Sequence, residues 1–544
     1  MHARSNRGIL PSDAQWDAQW DAQSDALWGA QSDAMTETVK DRAGGDHAGE
    51  DRAGARRLVS GVFWNGLGRG LPLLLALALT PLLIEQMGLE RWGLFTLALA
   101  MVGVFGVFDL GIGPALTRAI SERLATDEPR ALSRLAGAAM LALVLFAAVA
   151  AALLWMALPF LLTRLLNVPP ALQAEALTAF RILAAAAPLV VLNAALWGVL
   201  AAHQRFAAAN LATIPVAVMY YAGPLLVLLA WQSLVGVMLV LVLCRLLNTL
   251  SYAWLARPLL VGFGIGRISQ VWPLLRVGGW MTAASLLGQF LLYADRFAIG
   301  ALLTLAAVAY YATPLDLVLR MWIVPVAVAQ ALLPAMAACF RERPGAAASL
   351  ARRGGLIVTA LTLPPCLLVA AEGDWLLRLW LGASFAAEGG QVLRILGLGM
   401  FFSCAAYVPD ALLNAIARPD VAAKLAAAQI AIFLPLAALL LMLWGIEGAA
   451  VAWTLRAGAD LAGKWVFAVR LYPAAAAAAR GLVPALLAAG LGLLAVQPFQ
   501  GPLLLAALGA VALAATGFAL WRAMTAEERG MLRHPRAFLR GAAA

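Results

Sequence analysis

The chain has 544 residues, 63% of them hydrophobic and 12% charged. Soluble domains carry about 25% charged residues, so this balance excludes a string of ordinary soluble domains and points to an all-α polytopic membrane protein. The formal charge of +10 is spread as a topology signal and not as a nucleic-acid-binding patch, so no nucleic-acid partner is expected.

Residues 1–57 are polar. Within them, 13–34 read DAQWDAQWDAQSDALWGAQSDA, a four-residue repeat with too few large apolar groups to form a core. The composition predicts a disordered cytoplasmic tail. A plainer lead-in, MTETVKDRAGG, begins at Met35, which is a candidate initiator.

About fourteen transmembrane helices follow, at 59–85, 92–116, 132–160, 176–200, 207–231, 233–256, 272–300, 304–338, 354–371, 391–417, 422–444, 446–470, 481–497 and 501–521. Each suffices to cross ~30 Å of hydrocarbon at ~1.5 Å per residue. Alternate loops hold nearly all the arginines: Arg118, Arg123 and Arg130, then Arg205, Arg257 and Arg267, then Arg341, Arg343, Arg418, Arg470 and the tail beyond Arg522. The opposite loops hold only Arg91, Arg164 and Arg378. This bias puts both termini in the cytoplasm.

An internal duplication is visible. Arg181 and Arg394, Arg205 and Arg418, and Trp231 and Trp444 are each 213 residues apart. Three matches at one offset predict two related six-helix lobes, 58–256 and 272–475, joined by a cytoplasmic linker at 257–271. Two units of six spans share one orientation and enclose a central cavity. Helices at 476–521 lie outside the repeat, and 522–544 form a basic cytoplasmic tail.

Ionisable residues inside spans face bundle interiors or watery cavities. Arg69, Arg296, Arg320 and Arg456 are the substrate-binding candidates, since a guanidinium stays charged and grips phosphate with two parallel hydrogen bonds. Asp109, Asp295, Asp316, Asp410 and Asp460 are coupling or gate candidates. The i,i+4 spacing predicts an Asp316–Arg320 pair and an Arg456–Asp460–Lys464 ladder. Asp295 and Arg296 point about 100° apart on a helix, so one is free to face a cavity while the other meets helix eight. Arg181 and Arg394 sit near span ends and read as snorkelling groups. Asn193, Gln289 and Asn414 read as helix–helix hydrogen-bonding groups. The stretch 372–390 reads as an outer loop, with Trp375 and Trp380 as interface anchors. Cys244, Cys339, Cys366 and Cys404 lie in apolar runs without CxxC spacing and read as packed thiols. The sequence contains no HExxH, nucleotide-binding loop or metal-ligand cluster, so no catalytic residue, metal or cofactor is expected, and the chain is not expected to be an enzyme.

Three stretches carry a family resemblance. TPLLIEQMGLERWGLFTLA with FDLGIGPALTRAIS (80–98 and 108–121), YADRFAIGALLTLAAVAYYATPLDLVLRMWIVPVAVAQALLPAMA (293–337) and WGIEGAAVAW (444–453) resemble the polysaccharide biosynthesis, or oligosaccharide-lipid flippase, family of the multidrug/oligosaccharidyl-lipid/polysaccharide exporter superfamily. The resemblance implies a two-lobe transporter in the bacterial inner membrane. Its expected activity is alternating-access movement of an undecaprenyl-diphosphate-linked oligosaccharide for O-antigen, capsule or exopolysaccharide synthesis. The implied partners are that lipid-linked oligosaccharide and membrane lipids, with a polysaccharide polymerase as a further candidate. The alternatives are a small-molecule or drug antiporter of the same superfamily and, in a different class, a membrane-embedded glycosyltransferase or polysaccharide ligase.

Overall fold

The computed structural model describes residues 74–107, 129–260 and 272–497, with isolated positions near 116–120, 264 and 507–521. All of them belong to one unit, Gly61–Ala544. The readings made for the N-terminal tail, Met35, Arg69 and Asp109 lie outside the described residues.

Every regular element among the described residues is helical. Helix α1 is Leu74–Met87, and α2 is Leu89–Val107. Helix α3 is Pro129–Phe160 and α4 is Pro170–Ala202. Next come α5, Phe206–Ala230, α6, Leu234–Ala256, and α7, Trp272–Leu302. Helix α8 is Leu305–Cys339, α9 is Pro344–Leu381 and α10 is Ala383–Ala415. Pro419–Leu471 is broken at Gly445 into α11 before it and α12 after it, and α13 is Ala475–Val496. These elements fall on the first thirteen expected spans, and the positions described within Gly509–Phe518 fall on the fourteenth. Nine helices among the described residues are long and apolar enough to cross a membrane.

The breaks have chemical causes. In α4 the helix interrupts at Ala186, because Pro188 has no N–H and its ring crowds the carbonyl one turn earlier. In α8 a short 3₁₀ turn, Arg320–Trp322, separates two α-helical parts. Pro325 cannot donate to the Met321 carbonyl, and the chain tightens upstream of it. Gly445 takes φ 60° and ψ −144°, a region that glycine enters without steric cost, and so turns α11 back along α12.

The helices pack in a chain of neighbours: α3 on α4, α5 on α6, α9 on α10, α10 and α7 on the α11–α12 hairpin, and α13 on α9. Helix α2 crosses to α7 and α8. At the end that the charge pattern assigns to the outside, α1–α6 and α7–α12 are joined. The Asn167 amide donates to the Ala301 and Leu303 carbonyls at 3.0 and 2.8 Å. Trp92 Nε1 donates to Thr313 Oγ1 at 2.8 Å, and Trp380 Nε1 to the Leu77 carbonyl at 2.6 Å. Gly93 lies so close to α8 that a Cβ there would sit 2.0 Å from the Leu305 carbonyl oxygen.

The apolar core follows the same division. One cluster runs from Leu83, Leu97, Leu158 and Leu234 through Ile299 and Leu315 to Leu396 and Leu482. A second cluster, around Leu135, Leu143, Val199 and Tyr252, is separate from it and occupies the opposite end of α3, α4 and α6. Among the described residues, the packing is continuous across the molecule at one end and divided at the other.

Two loop-level expectations are corrected. Residues 372–390 are not an open loop: α9 continues to Leu381 with a kink at Glu372, and α10 begins at Ala383. Trp375 is exposed, whereas Trp380 is half-buried against α1. The four cysteines are free and buried.

Candidate functional site

The most polar region within the described spans is a chain of charges running from α8 through α7 and α12 to α10. Arg296 of α7 is 2% exposed, and its Nη2 lies 2.6 Å from Asp316 Oδ1 of α8. Its guanidinium also sits 5.3 Å from the Tyr293 ring centre. The preceding residue behaves differently. The Asp295 carboxylate accepts from the Tyr311 hydroxyl of α8 and from the Arg296 backbone N–H at 2.8 Å. The adjacent acid and base therefore turn apart, and each engages α8 separately.

Arg456 on α12 lies within charge-interaction range of Asp460, and also of Asp295 and Tyr311. Arg456 has no ion-pair partner among the described residues, and its guanidinium sits 5.5 Å from the Trp453 ring centre. Two turns further along α12, Lys464 is held between Asp460 at 2.9 Å and Asp410 of α10 at 3.1 Å. Gln429 of α11 donates to Asp460 at 2.8 Å, and Asn414 donates to Asp410 at 3.2 Å.

Several sequence expectations change here. Asp316 does not pair with Arg320. The 3₁₀ turn at Arg320 departs from the straight-helix register that an i,i+4 pair needs, Arg320 is exposed, and Asp316 is taken by Arg296. The Arg456–Asp460–Lys464 ladder holds only in its second half. Arg394 does not snorkel. It is 2% exposed, donates to the carbonyls of Ala370, Val496 and Gln497 at 3.1, 3.1 and 2.6 Å, and faces Asp374 at 3.7 Å. It joins α9, α10 and α13. Arg181 is stacked on Trp155 at 5.2 Å. Asn193 bonds Thr249 across α4 and α6, as expected, whereas Gln289 Oε1 is buried without a partner.

Sequence reasoning missed Glu175. One of its oxygens accepts from Ser233 Oγ and from the Leu234 N–H at the start of α6, at 3.0 and 2.6 Å. The other is 3.0 Å from Arg91 Nε. A carboxylate placed on a helix N-terminus satisfies groups that the helix itself cannot. The Ser233–Leu234 start of α6 was visible in the sequence, but its distant acid was not.

The acids of this region are thus committed: Asp316 to Arg296, Asp410 and Asp460 to Lys464, and Asp295 to a phenol. Arg245, Arg320 and Arg456 have no carboxylate within ion-pair distance among the described residues. No group of three or more His, Cys, Asp or Glu side chains suited to a metal occurs among the described residues.

Comparison with known proteins places this arrangement in a family. The model of the family described as "Polysaccharide biosynthesis protein" matches residues 58–340, more than half of the chain. The chain belongs to the polysaccharide biosynthesis protein family. A Shigella flexneri protein described as a putative O-antigen transporter is 24% identical over 424 residues, covering 75% of this chain and 97% of its own. Among solved structures, the lipid II flippase MurJ in an inward closed conformation aligns at a TM-score of 0.64 with 11% identity, over 85% of this chain and 99% of that one. An inward-facing multidrug resistance MATE family transporter of the MOP superfamily aligns at 0.63 with 14% identity, over 74% and 95%. This member of the polysaccharide biosynthesis family is therefore a multi-pass membrane protein with the fold of those transporters.

Proposed function

We propose that the chain is a flippase that carries an undecaprenyl-diphosphate-linked oligosaccharide from the inner to the outer leaflet of the bacterial inner membrane. The observation that carries the reading is that Arg320 and Arg456 lie inside the spans without a carboxylate within ion-pair distance among the described residues. An arginine at a helix centre in lipid costs about 2.5–3.5 kcal/mol on insertion scales, and keeping one without an acid is explained by an anion that arrives with the substrate. A diphosphate is such an anion, and a guanidinium fork matches it. Family membership and the Shigella flexneri relative supply the glycan context.

In this reading Arg456 and Arg320, with Arg69 of the first span, receive the headgroup while the prenyl chain stays in lipid. Arg296 positions helices α7 and α8. Of the described candidate acids, Asp295 is the coupling candidate, because its side-chain partner is a neutral phenol rather than a cation. Asp316, Asp410 and Asp460 serve as gate or bracing groups, and Asp109 is retained as a gate candidate. The two related lobes, 58–256 and 272–475, rock about their shared packing. The Asn167, Trp92 and Trp380 contacts form the closed outer end, and both termini are cytoplasmic.

A drug antiporter of the same fold is the weaker reading, since its cationic cargo would meet Arg320 and Arg456, which have no carboxylate within ion-pair distance among the described residues. A glycosyltransferase or ligase is weaker again, because α9 and α10 leave only Gly382 between them where an outer catalytic loop was conceivable.

Reconstituting the chain in liposomes with labelled lipid-linked oligosaccharide tests the proposal. Leaflet exchange above that of empty liposomes is expected. Folded protein that exchanges none of several saccharides would overturn the reading.

A further inference from the structure

A second polar site lies away from the charge chain, between α5 and α6. It is a cavity of about 230 Å³ lined by Thr213, Tyr220, Tyr221, Cys244, Arg245 and Asn248, with Val216 and Ala217. Three observations describe its chemistry. Arg245 has no carboxylate within ion-pair distance among the described residues, and its guanidinium sits 6.0 Å from the Tyr220 ring centre. Asn248 is 8% exposed, and its carbonyl oxygen is buried without a hydrogen-bond donor. Tyr220 and Tyr221 meet edge to face at 5.6 Å, which presents aromatic surface beside the cation.

Each feature asks for a different part of one ligand. A guanidinium in hydrocarbon that has no carboxylate partner asks for an anion. A buried orphan carbonyl oxygen asks for a donor, and leaving it empty costs about 1–3 kcal/mol. A donor and an oxyanion side by side describe a phosphate ester that carries hydroxyl groups. The volume is below the roughly 300–1,000 Å³ of drug-sized pockets, so it suits one sugar ring or one phosphate and not a whole oligosaccharide.

The depth of the site selects the source. Arg245 is the middle residue of Leu234–Ala256, which puts it ~17 Å from either helix end at ~1.5 Å per residue. A phospholipid resting in either leaflet keeps its headgroup at the interface, well away from that depth. A headgroup that crosses the membrane passes through it.

We propose that the α5–α6 cavity is a binding station for a hydroxyl-bearing phosphate headgroup in transit, in which Arg245 takes the phosphate, Asn248 accepts from a hydroxyl, and Tyr220 packs on the ring. This deepens the flippase reading and rests on it for the source of the ligand.

The test uses the full chain in detergent with three probes: glucose 1-phosphate by isothermal titration, and undecaprenyl diphosphate and phosphatidylglycerol by native mass spectrometry. Glucose 1-phosphate or undecaprenyl diphosphate should bind in preference to phosphatidylglycerol. Arg245→Gln and Asn248→Leu should each weaken that binding at least tenfold, with Arg245→Lys intermediate. Circular dichroism and the unfolding midpoint of each unliganded variant verify folding. Preference for phosphatidylglycerol, equal binding by all variants, or binding of no probe overturns the station. Normal leaflet exchange by Arg245→Gln overturns its place on the transport route. Probe binding that depends on Arg245 in a chain that exchanges no lipid-linked glycan would instead sink the flippase reading and leave the binding site standing.

Discussion

Arg296 and Asp316 are 2.6 Å apart, yet the arginine side chain is 2% exposed and the aspartate 42%. The pair is lopsided: a cation sealed in the protein is neutralised by an acid that is itself partly exposed. Removing one partner of a buried pair costs about 3–5 kcal/mol. The partial exposure of Asp316 lowers the expectation for Asp316→Asn to about 1–3 kcal/mol. Arg296→Gln with Asp316→Asn should be less destabilising than the sum of the single changes, as thermal unfolding in detergent would measure. Additive effects would mean that the pair does not brace α7 against α8.

Lys464 stands between two acids, Asp410 at 3.1 Å and Asp460 at 2.9 Å. Lys464→Met leaves both carboxylates without their cation, and should cost about 3–5 kcal/mol. Asp410→Asn, which leaves the Lys464–Asp460 pair intact, should cost clearly less. Denaturation midpoints of the two variants in the same detergent check the order.

Close packing of α2 on α8 predicts a sharp steric effect. A Cβ at Gly93 would sit 2.0 Å from a backbone oxygen of Leu305, which cannot rotate away as a side chain can. Gly93→Ala should therefore fall at the upper end of the about 1–3 kcal/mol typical of overpacking. It should also loosen the outer contact, raising the reactivity of a cysteine introduced at Thr313 toward an impermeant thiol reagent. Unchanged stability and unchanged labelling would contradict the tight α2–α8 contact.

The path of the helices was legible in the sequence because hydrocarbon enforces it. A lipid-facing helix must be apolar over its length, so the apolar runs, the turn at Gly445 and the proline-bearing spans could be read directly, whereas α9, Pro344–Leu381, runs ten residues past the expected 354–371 at each end. Partners were less legible. Asp316 and Arg320 have ideal spacing, but Pro325 changes the local helix, and the nearby Arg296 outcompetes Arg320 for the acid. Arg394 looked like an end-of-span arginine because its acceptors, the carbonyls of Ala370, Val496 and Gln497, are backbone groups that no side-chain pattern reveals. The Asn248 carbonyl oxygen carries no signal in sequence, since its orphan state exists only after packing.

Asp295 gives the test of ion coupling. Its Tyr311 hydrogen bond survives in Asp295→Asn, because an amide oxygen also accepts, so the fold should hold. If protonation of this carboxylate couples transport, the natural chain should respond to an imposed pH gradient. Asp295→Asn should keep downhill exchange but lose the response. An equal response in both chains would remove Asp295 from the coupling role.

The central claim is that arginine charge left unmatched inside the spans receives a translocated diphosphate headgroup. Leaflet exchange of labelled undecaprenyl-diphosphate oligosaccharide by Arg456→Gln, beside Arg456→Lys and the unaltered chain at matched folding and incorporation, addresses it most directly. The account predicts at least a tenfold slower rate for the glutamine variant and partial recovery with lysine. Exchange by Arg456→Gln at the unaltered rate would contradict it.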